Sequence, residues 1–147
     1  MSRRSFFPKN EHPFHVVVVG WDAALASFFF QYGDVGSDLP LVLATGQRSA
    51  EHPSPGIVIA LAEHLGEGIP ANLLELLYAD RQAEGAYEND GPPDLIRFST
   101  QADNGDELGF TAPRDKLDNA AIIASIADRI VSGEAERSGG RKPAVGA

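Results

Sequence analysis

Apolar residues fall in three short dense runs, then in spaced stripes, then in a pair of short runs, and these rhythms set the expected elements. Phe14-His15-Val16-Val17-Val18-Val19-Gly20-Trp21 is β-branched and continuous, which predicts a strand buried on both faces. Ser27-Phe28-Phe29-Phe30-Gln31-Tyr32 follows after a few residues, so an antiparallel hairpin is the simplest link. Gly33 to Asp38 then turns the chain, and Leu39 to Thr45 supplies a third strand with Pro40 near its start, where a missing ladder donor is tolerated.

Past Ser54-Pro55-Gly56 the period changes. Ser54 is placed to cap a helix and Pro55 to begin it, while Ile57, Val58, Leu61, Ala62 and Leu65 recur every three or four residues until Gly66. A second helix from about Pro70 carries Leu73, Leu74, Leu76, Leu77 and Tyr78, a pattern that predicts cover on most of its circumference. Leu95 to Ser99 and Glu107 to Thr111 flank Asn104-Gly105, which marks a second hairpin, and Lys116 to Val131 spaces Leu117, Ala121, Ile122, Ile126 and Ile130 as a last helix ended by Gly133. The expected fold is α+β, a mainly antiparallel sheet packed by about three helices. The order lacks the βαβ alternation of a dinucleotide fold.

Length agrees with one core. A chain of 147 residues buries about 68% of its extended surface, and one domain over residues 13–132 is expected between mobile tails at 1–12 and 133–147.

Gly20-Trp21-Asp22, then Leu25, then Phe28-Phe29 resembles a group of small bacterial proteins to which no function is attached. That resemblance implies a bacterial source and no chemistry.

Charge narrows the functions. The net charge is −9, but residues 1–21 and 129–147 each carry +2, so the body between them holds −13. Direct nucleic-acid binding through a basic face is disfavoured, while a basic protein partner or mimicry of DNA charge would suit such a body. Cysteine is absent, which excludes disulfides, thiolate metal sites and cysteine nucleophiles, and fits a reducing cytoplasm. Neither a signal-peptide apolar region nor a membrane-spanning run occurs, the longest β-branched stretch being Val16 to Val19.

Candidate chemistry is sparse, and no cofactor and no metal site is expected. His12 and His15 stand three apart around Pro13, a weak metal pattern better read as strand-entry histidines. Ser, His and Asp residues offer paper triads, but no segment spells the strained turn that presents a nucleophilic serine. Two binding candidates remain. Trp21, Asp22, Leu25, Phe28 and Phe30 sit at the aromatic hairpin, where an uncovered face would make a protein-partner or homodimer interface. Arg48, Ser49 and His52 lie in the Arg48–Ser54 loop leading into a helix N-terminus, where exposed amides could hold an anion or small molecule. The leading expectation is a non-catalytic protein-interaction or regulatory module; the alternatives are a ligand-binding domain or enzyme using that loop, and a DNA-charge mimic.

Overall fold

Six strands pair in strict chain order, each antiparallel to the next, in the computed structural model, which describes residues 1–35, 41–101 and 107–132. They are β1 (Arg4–Phe6), β2 (Val16–Asp22), β3 (Ser27–Gly33), β4 (Leu41–Thr45), β5 (Leu95–Gln101) and β6 (Glu107–Pro113). Helices α1 (Gly56–Leu65) and α2 (Leu73–Glu84) are inserted between β4 and β5, and α3 (Ala120–Val131) follows β6 after a 3₁₀ turn at Arg114–Lys116. The expected α+β class with a mainly antiparallel sheet and three helices is what the chain forms.

Register explains the core. Val17 stands opposite Tyr32, Val19 opposite Phe30 and Trp21 opposite Phe28, so one parity of the two strands turns its largest side chains to one face. Leu43, Ile96 and Phe98 continue that face. Val58, Leu61 and Ala62 of α1, Leu73 and Leu77 of α2, and Ile123, Ala127 and Ile130 of α3 close over it in a single core. The opposite parity is smaller and more polar: Val18 faces Gln31, Gly20 faces Phe29 and Ala44 faces Ser99. A side chain at Gly20 is impossible here, since its Cβ would lie 2.0 Å from the Ser2 carbonyl oxygen and 2.8 Å from the Phe29 ring.

Three expectations need correction. Residues 1–12 are not a loose tail, because Arg4–Phe6 pairs with Val17–Val19 as an edge strand and Arg4 grips Asp80 of α2 through two 2.9 Å hydrogen bonds. Short length hid that strand. Ser54 does not cap α1: Pro55 itself takes the N-cap position, and no side chain caps the first turn. Helix α2 is a surface helix after all, with Leu73 and Leu77 buried and Leu74 exposed, because it packs at one end of the sheet, over β2. The turn at residues 36–40, the tip at 102–106 and the segment 133–147 lie outside the described residues.

Candidate functional site

Thr45 ends β4, and Gly46 starts the loop with φ +85°, where a Cβ would sit 2.2 Å from the Phe28 carbonyl oxygen. Only glycine fits that corner. The loop then folds back so that the Glu51 side chain is buried against β5. Its carboxylate accepts from the Gly46 amide at 2.9 Å, from the Arg97 amide at 2.9 Å and from the Arg48 guanidinium, whose Nη2 also donates to the Leu95 carbonyl at 2.7 Å. A buried carboxylate met by several donors is a clamp, and Arg48 is part of it. Ser49 is exposed. Arg48, expected as part of an anion cradle with Ser49, donates to Glu51 and to the Leu95 carbonyl.

His52 is different. Its backbone is fixed by hydrogen bonds to the Ser27 hydroxyl and from the Phe28 amide, both 2.9 Å, and its side chain is 1% exposed. The imidazole Nε2 lies 2.8 Å from Thr45 Oγ1, and Thr45 Oγ1 donates to the Arg97 carbonyl at 2.7 Å. A hydroxyl has one proton, and this one is already committed. Nε2 must then be the donor, carrying the ring's single proton, and Nδ1 is left with its lone pair. Nδ1 is buried and has no hydrogen-bond partner among the described residues. Burial pushes the His52 pKa down to about 4; Glu51 opposes the shift, and Arg114 and Arg48 add to it. At neutral pH the ring is an uncharged acceptor.

A cavity of about 530 Å³ adjoins it, lined by His52, Ile57, Ala60, Arg114, Leu117 and Ile123 among others. Two helix starts open onto it, since Gly56 of α1 and Ala120 of α3 are both in its wall. The helices run side by side in the same direction, as the 2.7 Å contact of His64 with Asp128 further along both of them requires. Asn119 caps α3 by accepting from the Ala121 amide, whereas no side chain caps α1. Arg114 donates through Nε and Nη2 to the Pro93 carbonyl, which leaves Nη1 without a protein acceptor among the described residues. The wall is thus mainly apolar, with His52, Ser54, Glu63, Arg114 and Asp118 as its polar residues.

The aromatic candidates sit elsewhere and point inward. Trp21 is 2% exposed and donates through Nε1 to the Gly85 carbonyl at 2.7 Å; Phe28 and Phe30 are fully buried, and Leu25 is half-buried. Asp22 Oδ1 accepts from the Ala24 and Leu25 amides and builds the hairpin turn. Trp21, Phe28 and Phe30 belong to the chain's own core, and α2 lays Tyr78 against Phe28 and the Arg81 guanidinium over Trp21 and Phe28. Arg81 also donates to the Pro53 carbonyl at 2.9 Å, so the aromatic cluster buttresses the His52 loop.

His12 and His15 do meet, as stacked rings 3.5 Å apart, with His15 Nδ1 3.3 Å from the Tyr32 hydroxyl. No group of three or more His, Cys, Asp or Glu able to hold a metal exists among the described residues. No helix among them is long and apolar enough to cross a membrane. Thr45, Arg114 and the apolar wall were missed from sequence; the run Pro113-Arg114 held no signal beyond its place between a strand and a helix. Comparison of the chain with protein-family models, with curated proteins and with solved structures finds no match.

Proposed function

We propose that this protein is a small-molecule-binding module whose site is the cavity between the His52 loop, the Arg114 turn and the starts of α1 and α3. One observation carries the reading: His52 is held rigidly, deprotonated at Nδ1 and without a partner there, beside about 530 Å³ of mainly apolar space. A buried acceptor left unmet costs about 1–3 kcal/mol, a cost a ligand donor removes. A histidine with a pKa near 4 is a poor proton acceptor at neutral pH, so the reading is binding rather than acid–base catalysis. The aromatic hairpin offers no exposed patch to an interface, since Trp21, Phe28 and Phe30 are enclosed by the chain itself.

The test is a screen of small polar–apolar fragments against the ¹⁵N-labelled chain. Binders are expected to move the amide resonances of Ser54, Ile57, Arg114 and Ala120 together, and Ala60→Trp, which fills the cavity, is expected to abolish those shifts. Hits scattered over the surface, or shifts that persist in Ala60→Trp, would contradict the proposal.

A further inference from the structure

We propose that the connection from β1 to β2 is an acid-sensitive latch: His12 and His15 close it on Tyr32 while their rings are uncharged, and it opens when both take a proton. It uses none of the residues that line the cavity.

The connection is built from turns held by side chains. Asn10 Oδ1 accepts from the His12 amide at 3.1 Å, and His12 Nδ1 accepts from the Phe14 amide at 3.2 Å. One end is tied to the end of α1, where the Lys9 amide donates to the Leu65 carbonyl and the Lys9 ammonium to the Glu63 carbonyl. The other end rests on the Tyr32 hydroxyl. Asn10 Nδ2 donates to it at 2.7 Å, and His15 Nδ1 lies 3.3 Å from the same oxygen. The His12 and His15 rings stack with centroids 3.5 Å apart and planes 8° from parallel. Glu11, between these anchors, is held at φ +57°, a left-handed backbone that a residue with a side chain adopts only where its surroundings impose it.

Only uncharged rings fit this arrangement. The Phe14 amide can donate only to an unprotonated nitrogen, so His12 in the closed loop carries its single proton on Nε2. A second proton must go to Nδ1, and it breaks that bond. With both rings protonated, the stack would hold two cations face to face at 3.5 Å. His15 resists its charge, because burial and the neighbouring His12 both lower its pKa, while Asp34 opposes the shift. The remaining groups around the pair do not replace what is lost: the Lys9 ammonium adds positive charge, Glu11 is exposed, and burial raises the pKa of Tyr32 against the Asn10 bond, so its hydroxyl stays neutral. The sign follows from His15. Its folded pKa lies below the ordinary value, so the closure it supports is complete above about pH 6.5 and is lost as pH falls through the lowered value. Histidine is the side chain whose charge changes in that window.

The experiment titrates the ¹⁵N-labelled full chain by NMR from about pH 8 to about pH 5, a window of histidine charging that stops above the His52 pKa of about 4. It reads the His12 and His15 rings, the Phe14 amide and the Tyr32 ring. The Phe14 amide and the Tyr32 ring are expected to move together with the two histidines, and the hydrogen-exchange protection of Phe14 to fall severalfold across the transition. His12→Asn keeps a side-chain acceptor for the Phe14 amide and carries no charge. In that variant the loop is expected to stay closed at the acid end, and His15 to bind its proton severalfold more tightly. Independent titration of the two rings with Phe14 and Tyr32 unmoved would overturn the latch. So would opening of His12→Asn at the same pH as the unaltered chain, or an unchanged His15 midpoint in that variant.

Discussion

Glu51 and His52 are neighbours in sequence and equally hidden, each 1% exposed, yet they are treated in opposite ways. Every demand of the Glu51 carboxylate is met, by two backbone amides and the Arg48 guanidinium. His52 is satisfied on one side by Thr45 and left open on the other. Folding alone would favour pairing both, because an unmet buried polar atom is a standing cost. The contrast separates a residue whose bonds build the loop from one with an acceptor left over.

Removing the clamp has the largest expected effect. Glu51→Ala strands the Gly46 and Arg97 amides, at about 1–3 kcal/mol for each, so urea denaturation should show a loss of about 3 kcal/mol. A loss below 1 kcal/mol would mean that the loop is held by something else.

Acid should act through His52 instead. Its folded pKa of about 4 lies below the ordinary 6.5, so the unfolded chain binds the proton more readily between those values. The stability it contributes is present above pH 6.5 and is lost as pH falls toward 4, by about 3 kcal/mol at most. In His52→Phe this part of the acid sensitivity is expected to vanish; an unchanged pH profile would show that the ring is already exposed or protonated.

Thr45→Val removes the acceptor of His52 Nε2–H together with the donor to the Arg97 carbonyl, and is expected to cost about 2 kcal/mol. It should also let the ring proton redistribute between the two nitrogens. Smallest of all, His52→Phe at pH 7 is expected to change stability by less than about 1 kcal/mol, since it exchanges one satisfied and one unsatisfied nitrogen for carbon of similar shape. Ligand shifts in the cavity should nevertheless disappear, and their survival would remove His52 from the site.

Legibility in the sequence followed locality. The β-branched run at Val16–Val19, the phenylalanines of β3 and the helical stripes of α1 and α3 announced their elements, because period and propensity act within a few residues. The edge strand Arg4–Phe6 did not, having three residues and depending on β2 for its existence. Helix α2 misled for a related reason: its leucines resemble a buried pattern, but only the stripe of Leu73 and Leu77 reaches the sheet. Half of the site was visible, since His52 lies in a loop entering a helix. The other half was not. Arg114 comes to His52 across the full β5–β6 hairpin, and the tautomer depends on Thr45 donating to Arg97, a bond between strands that no local pattern encodes.

The most direct measurement is a long-range ¹H–¹⁵N NMR spectrum of the histidine rings at pH 7. The account predicts that His52 carries its proton on Nε2 alone and shows an unprotonated Nδ1 free of any hydrogen bond until a donor ligand is added. A proton on Nδ1, or a doubly protonated ring at that pH, would contradict it.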